Sequence, residues 1–198
     1  MTRLRLHHAA ALAPLFATSP AAAHGGTGLA GGFAAGFQHP LSGWDHLLAM
    51  IAVGLWGAFL GRPLIYLLPV TFPLMMVVGA VLGMFGLPAP PVEIGIALSV
   101  IVLGGCIAAA WRAPTVIAVV IVAGFALFHG YAHGRELPSA ADPIGYSTGF
   151  VLATGLLHVA GIAIGLLADR RGGALAIRTG GAAIAATGML FVWRVVSA

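Results

Sequence analysis

Three metal-binding side chains lie within one short segment near the start of the chain. The segment reads His39-Pro-Leu-Ser-Gly-Trp-Asp45-His46, and a long apolar run follows it. Ionisable groups at membrane depth are energetically costly, so their presence indicates a functional site by default. Two imidazoles and a carboxylate at that place predict a metal site. If a helix begins at Ser42, Asp45 could instead complete a capping box, but that interpretation explains neither histidine.

The spacing of the two histidines restricts how they can act together. Pro40 suits the first turn of a helix, because its missing N–H would be unpaired there anyway. A continuous helix would separate His39 from His46 by about 10 Å. We therefore expect them to share one ion only if the chain bends at Pro40.

A second cluster reads Phe128-His129-Gly-Tyr-Ala-His133-Gly134-Arg-Glu136. His129 and His133 are four residues apart, so both imidazoles share one face of a helix, and such pairs recur in metal sites. Glu136 extends this stripe if the helix continues past Gly134. The alternative is a hydrogen-bonded pair at a helix C-terminus, where the helix dipole favours histidine.

Two further histidines are candidate ligands. His158 lies in the apolar run Gly155-Leu-Leu-His158-Val-Ala-Gly161-Ile-Ala-Ile-Gly165, whose small residues would let another helix approach closely. A lone buried histidine is usually a core residue, but an intramembrane imidazole without a charged neighbour in its own helix favours function. His24 would become a bidentate chelate of amine and imidazole if the chain were cleaved before it.

The composition identifies the class of protein that must position these groups. The chain has 198 residues, of which 60% are hydrophobic and 7% charged, and its mean hydropathy is +1.04. A soluble domain would carry about 25% charged residues. We therefore predict an all-α polytopic membrane protein whose surroundings are the lipid bilayer. The formal charge of +4 comes from few residues and does not indicate a nucleic-acid partner.

Residues 1–23 resemble a cleaved signal peptide, with two arginines, a short apolar stretch and the small residues Ala21-Ala22-Ala23. Residues 24–198 then form a single transmembrane domain. A spanning helix needs about 20 apolar residues, and about six segments qualify. The predicted spans are roughly 40–61, 64–86, 92–111, 114–133, 143–168 and 175–196, and the Gly/Ala-rich residues 25–37 could form a half-helix or re-entrant lead-in.

The arginines predict the orientation of these spans. If the processed N-terminus is periplasmic, most arginines fall in cytoplasmic loops, as the positive-inside rule requires. The cytoplasmic set is Arg62, Arg112, Arg170, Arg171 and Arg178, and the outer set is Arg135 and Arg194. The protein is therefore expected in a bacterial inner membrane, with its ligand-type residues gathered toward the outer face.

The donor types restrict the ion. Imidazole and carboxylate without a nearby thiolate suit borderline divalent ions such as Ni²⁺, Co²⁺ or Zn²⁺. A bound imidazole must be neutral, so we expect uptake to weaken below about pH 6 as histidine protonates.

These motifs together resemble the HupE/UreJ family. The first motif is His39-Pro-x-x-Gly-x-Asp45-His46-Leu-Leu-Ala-Met50-x-Ala-Val-Gly54-x-Trp56; the later blocks are Phe128-His-Gly-x-Ala-His-Gly-x-Glu136 and His158-x-x-Gly161. The resemblance implies a nickel or cobalt permease linked to the maturation of hydrogenase or urease. It also implies metal-binding roles for His39, Asp45 and His46 in the first block and for His129, His133, Glu136 and His158 in the later ones.

The sequence interpretation is thus a permease rather than an enzyme, with no permanent cofactor and Ni²⁺ or Co²⁺ as its cargo. Ions would meet His24, His39 and Asp45, pass to His46, His129 and His133, and reach His158 last. Two alternatives are a haem-binding membrane cytochrome and a metal-binding scaffold that transports nothing. An intramembrane protease ranks lower, because Ser147 of the Gly145-Tyr-Ser147-Thr-Gly149 motif is about 16 Å from His158 along one helix. Gradient-driven diffusion and proton coupling both fit the sequence.

Overall fold

The computed structural model of the chain describes residues 28–89, 91–136 and 142–197, and this part of the chain is all-helical. The predicted signal peptide and His24 lie outside the described residues. Seven α-helices and a short 3₁₀ turn are described. They are α1 (Leu29–Ser42), α2 (Trp44–Leu60), α3 (Leu64–Met84), α4 (Val92–Ala108), α5 (Thr115–Glu136), α6 (Pro143–Gly165), the 3₁₀ turn Leu166–Asp169, and α7 (Gly173–Ser197).

The helices have the length and composition of membrane spans. Four of those described, α3, α5, α6 and α7, are each long and apolar enough to cross a bilayer. Helices α1 and α2 qualify only as a pair, bent by 80° at the break between them, and α4 is a shorter apolar helix of 17 residues. The predicted all-α membrane fold is confirmed, while the count of six spans stays a prediction.

The start of the first span differs from the prediction. Pro40 does not begin a helix; it lies inside the last turn of α1. The chain bends instead at Gly43, which has an extended backbone (φ −92°, ψ 113°) between α1 and α2. The bend that would let His39 and His46 share one ion is therefore present, but at Gly43 and not at Pro40. The alternative of a capping box is wrong, because the Ser42 hydroxyl donates to the carbonyl oxygen of His39. The half-helix expected over residues 25–37 is confirmed from Leu29 onward.

Glycines bring the helices that carry the histidines into close contact. A Cβ atom at Gly36 of α1 would overlap the carbonyl oxygen of Tyr146 on α6, and one at Gly54 of α2 would overlap the carbonyl oxygen of His158. Helices α3 and α5 approach in the same way, with Gly130 against the backbone of Met76. Such close backbone approach is how membrane helices gain packing energy without a hydrophobic effect between them.

The helix directions give the bundle two distinct halves. Helices α2, α4 and α6 run one way, and α3, α5 and α7 run the other. The end at which α2, α4 and α6 finish carries Arg62, Arg112, Arg170, Arg171 and Arg178. We call the half of the bundle at this end the arginine half. The opposite half, which we call the histidine half, contains the α1–α2 break, the last two turns of α5 and the first half of α6.

Candidate metal centre

Three imidazoles from three helices converge beside the α1–α2 break. One ring nitrogen each from His39 (α1), His46 (α2) and His133 (α5) lie within 4.8 Å of one another. The ring centroid of His133 is 4.7 Å from that of His39 and 4.8 Å from that of His46. Imidazole binds Zn²⁺ at about 2.0–2.1 Å, so two ligand nitrogens at the tetrahedral angle around such an ion are about 3.3 Å apart. A contraction of up to about 1.5 Å would therefore let all three bind one ion.

Asp45 orients the second of these imidazoles. Its Oδ1 accepts hydrogen bonds from the backbone N–H and from the ring Nδ1 of His46, both at 2.8 Å. The carboxylate is also favourable in the first turn of α2, where the helix dipole is positive. Since Nδ1 is occupied, Nε2 of His46 holds the free lone pair, and no group in the described part of the chain hydrogen-bonds to it. Metal-binding histidines commonly donate their other nitrogen to a carboxylate in this way.

The bend itself makes room for the Asp45–His46 pair. A Cβ atom at Gly43 would lie 3.0 Å from Oδ1 of Asp45 and 3.2 Å from Nδ1 of His46. A side chain at this position would therefore crowd both atoms. Glycine is thus the residue that ends α1, turns the chain and leaves the hydrogen bond undisturbed.

His133 has the clearest ligand character of the three. It is 7% exposed, and neither of its ring nitrogens has a hydrogen-bond partner within the described part of the chain. Its ring contacts that of Phe150 at 4.5 Å between centroids. A buried polar atom without a partner costs about 1–3 kcal/mol, and a bound cation would remove that cost. The side chain of Glu136, predicted as a further ligand, lies outside what the structure describes.

His129 continues the set of imidazoles toward the centre of the bundle. It is fully buried, one helical turn before His133, and its ring centroid is 4.9 Å from that of His46. Ser99 of α4 lies 3.0 Å from its Nε2 and donates its own hydroxyl proton to the carbonyl oxygen of Ile96 at 2.6 Å. The serine oxygen must then accept from Nε2–H, so the free lone pair of His129 is on Nδ1, which has no partner within residues 28–89, 91–136 and 142–197.

His158 lies deeper, on α6. Its carbonyl oxygen is against Gly54, eight residues after His46 on α2, which places it about 12 Å further into the bundle. The ring of Phe72 contacts both neighbouring imidazoles, at 5.4 Å from His129 and 5.6 Å from His158. The predicted close helix contact at His158 is therefore present. Gly161 and Gly165 pack against α2, whereas Gly155 has no neighbour within 4 Å of a Cβ atom.

The arginine half of the bundle is apolar in its interior. Among the described residues, every buried hydroxyl or imidazole side chain lies at the level of His158 or on the histidine side of it. Below His158 the fully buried positions include Trp56, Leu68, Leu103 and Val122. The indole N–H of Trp56 donates to the carbonyl oxygen of Trp111 at 3.3 Å. Among the described residues, this half therefore buries no imidazole or hydroxyl group, and the buried donor it does contain is the free thiol of Cys106.

A cavity of about 200 Å³ between α3, α5 and α6 reaches one face of His133. Most of its wall is apolar, and Tyr146, Ser147 and Thr154 contribute the remaining polar side chains. An apolar cavity does not replace the water shell of a divalent ion. The imidazoles, rather than this cavity, offer the chemically suitable route.

The structure thus brings together most of the histidines that the sequence singled out. His39, His46 and His133 form one cluster, His129 contacts it through His46, and His158 is separate and deeper. Sequence reasoning missed Ser99 and the buried hydroxyl of Thr154. A polar residue inside an otherwise apolar helix was the available signal for both.

Comparison with known proteins identifies the family of the chain. The family model described as HupE / UreJ protein matches residues 11–191. Protein HupE of Rhizobium leguminosarum bv. viciae is 44% identical over 170 residues, which cover 85% of this chain and 89% of that protein. No solved structure matches the chain. The family match spans nearly the whole chain, including all three histidine blocks, and the chain therefore belongs to the HupE/UreJ family.

Proposed function

We propose that the protein is a multi-pass permease of the bacterial inner membrane that carries Ni²⁺ or Co²⁺ toward the cytoplasm. The observation that carries the proposal is the convergence of His39, His46 and His133, whose ligand nitrogens lie within 4.8 Å of one another. Family membership supports the same cargo, because the motifs shared with HupE/UreJ proteins imply nickel or cobalt supply for hydrogenase or urease maturation. Zn²⁺ has the same ligand preferences and is a competitor in any test.

The route follows the order of the imidazoles. Asp45 is 37% exposed and His46 is 12% exposed at the side chain, so an ion arriving at the α1–α2 break meets them first, together with His39. His24 and Glu136 are proposed to assist at this stage. The ion then exchanges water for the ring nitrogens of His46 and His133.

The second stage lies further in. Nδ1 of His129 and Nε2 of His158 are both buried, and neither has a hydrogen-bond partner in the part of the chain that the structure describes. These nitrogens are separated by the ring of Phe72 and lie progressively deeper along the bundle. Each can accept an ion from the ligand before it, so the cargo never needs to be desolvated without a replacement ligand. The arginine half must then open for release, and the positive-inside rule assigns that end to the cytoplasm.

The haem-binding cytochrome and the intramembrane protease are less well supported alternatives. Haem ligation from both sides needs two imidazoles that face each other across a porphyrin plane. Here the ring of His133 contacts those of His39, His46 and Phe150 directly, which leaves no slot for a macrocycle. A Ser–His protease is disfavoured because Ser99, the serine that contacts a histidine, is fully buried and donates its proton to Ile96.

The direct test separates a permease from a scaffold that only binds metal. The full-length protein is reconstituted in liposomes that contain a nickel-quenched fluorophore, and Ni²⁺ is added outside. A permease predicts quenching that depends on the protein and saturates with Ni²⁺. Quenching no faster than in protein-free liposomes, with Ni²⁺ still bound to the protein, would establish the scaffold instead.

A further inference from the structure

His158 is held in one orientation by a backbone group of a neighbouring helix. The side chain is 2% exposed, and its imidazole forms a hydrogen bond with the backbone of Pro69 on α3. Proline has no N–H, so the acceptor is the Pro69 carbonyl oxygen and the imidazole is the donor. Nε2 of His158 has no hydrogen-bond partner among the described residues. The donor is therefore Nδ1–H, and Nε2 carries the free lone pair.

The Pro69 carbonyl is free to accept this bond because of a second proline. In an α-helix the carbonyl of residue i accepts from the N–H of residue i+4. The residue four positions after Pro69 is Pro73, also inside α3, and it has no N–H to give. By the same rule, Pro69 releases the carbonyl of Ile65, one turn nearer the arginine half. The two prolines therefore release two different carbonyl groups.

A histidine that donates one nitrogen to a backbone carbonyl is suited to bind metal through the other. The bond fixes the tautomer and the ring orientation, and disturbing such partners commonly lowers metal affinity or activity by about 10–100-fold. His158 lies beyond His129 on the route proposed above, and the ring of Phe72 contacts both. A rotated ring or the opposite tautomer would turn N–H, instead of a lone pair, toward the arriving ion.

We propose that Pro73 is a positioning residue for the deepest metal ligand. By withholding a helical N–H from the Pro69 carbonyl, it leaves that carbonyl to His158, which then presents Nε2 to an ion arriving from His129. This inference rests on the proposed transport function. It gives the proline pair of α3 a chemical role in addition to any effect on helix shape.

The matched variants are Pro73→Ala and Pro69→Ala. Both restore one helical N–H to α3, but only Pro73→Ala restores the donor that competes with His158 for the Pro69 carbonyl. The readout is the tautomer of His158, measured by ¹⁵N NMR of histidine-labelled full-length protein in nanodiscs without metal. The His158 signal is identified as the one lost in His158→Asn. We expect the Nδ1–H tautomer in wild type and Pro69→Ala, and a substantial Nε2–H population in Pro73→Ala.

Pro73→Val supplies an independent check, because it restores the same N–H with a different side chain and must give the same spectrum as Pro73→Ala. An Nδ1–H tautomer that persists in both Pro73 variants would overturn the inference. So would a wild-type His158 that is not the Nδ1–H tautomer.

Transport by the same variants separates this inference from the proposed function. We expect Pro73→Ala to lower the initial rate of Ni²⁺ uptake by about tenfold. His158→Ala, which removes the ligand itself, should lower the rate at least as much, and adding Pro73→Ala to His158→Ala should cause no further loss. Uptake by Pro73→Ala at the wild-type rate would overturn the inference alone. No uptake by wild type would overturn the proposed function together with it.

Discussion

The two halves of the bundle are built from similar apolar helices but bury different side chains. The histidine half buries or partly buries the imidazoles of His39, His46, His129 and His133, and several of their nitrogens lack a protein partner. Below His158, the arginine half buries aliphatic and aromatic side chains whose few polar groups are satisfied locally. Unsatisfied polar atoms are costly in a membrane, so their concentration in one half indicates selection for binding. The apolar half is suited to act as a seal.

The largest expected effect comes from separating the helices that frame the histidine half. Gly54→Ala would place a methyl group onto the His158 carbonyl oxygen. We expect destabilisation of about 1–3 kcal/mol from overpacking and loss of uptake, measured by thermal unfolding in detergent and by Ni²⁺ accumulation. Gly155→Ala on α6 is the matched control, because a Cβ atom there meets nothing within 4 Å. Equal stability of the two variants would contradict the packing described here.

Removal of His133 tests whether the histidine half is built for binding rather than for folding. His133→Ala loses no protein hydrogen bond, because neither ring nitrogen has a partner. The variant should fold, yet bind Ni²⁺ at least about 100-fold more weakly, since a direct ligand should matter more than the supporting groups that typically cost 10–100-fold. The nickel-dependent rise in unfolding temperature measures both properties. If the variant unfolded at a lower temperature than wild type without metal, and yet bound nickel with wild-type affinity, His133 would have a structural role.

A smaller effect is expected from neutralising the group that orients His46. Asp45→Asn keeps an oxygen acceptor but removes the charge that strengthens the bond to Nδ1. We expect nickel affinity to fall by about 10–100-fold, as measured by isothermal titration of the purified protein. If Asp45→Asn bound nickel as wild type does, the carboxylate would have no part in orienting the imidazole.

Ser99 tests the same principle at His129. Ser99→Ala removes the acceptor for Nε2–H, and the imidazole can then adopt either tautomer. We expect about a tenfold loss of uptake rate and a mixed His129 tautomer in the ¹⁵N NMR spectrum. If His129 of the variant were entirely the Nε2–H tautomer, Ser99 would not be the group that determines the tautomer of His129.

The smallest effect on binding is expected in the arginine half. Val122 is fully buried there, and Val122→Thr adds a hydroxyl with almost no change in shape. Nickel affinity should stay within about twofold of wild type, because no imidazole changes its partner, while transport in liposomes should become faster as the seal becomes easier to hydrate. Reduced affinity would show that binding extends into the arginine half.

Much of the fold could be predicted from the sequence, because long apolar runs separated by Pro, Gly and Arg can form few structures in a membrane other than spanning helices. The predicted spans from residue 64 onward each overlap a described helix. The position of the bend could not be predicted in this way. Pro40 is the stronger helix breaker by type, yet it fits the last turn of α1, and the bend falls at Gly43.

The residue types of the site could be predicted from the sequence, but the hydrogen-bond partners of its imidazoles could not. Histidines in apolar sequence pointed to the residues that the structure brings together as a candidate metal cluster, since imidazole is rarely placed in a membrane without a purpose. Which nitrogen each ring offers depends on groups distant in sequence, such as Ser99 for His129 and Pro69 for His158. A single serine or proline in an apolar helix is also typical of ordinary packing, so only the three-dimensional contacts reveal these pairs.

The most direct test of the central claim is accumulation of radiolabelled Ni²⁺ in cells that lack their own nickel uptake. Wild type is compared with His46→Ala at matched membrane expression, because His46 contacts both His133 and His129 and so connects the two stages of the route. The account predicts accumulation by wild type that the substitution abolishes. Accumulation that survives the substitution would contradict a route through the histidine cluster.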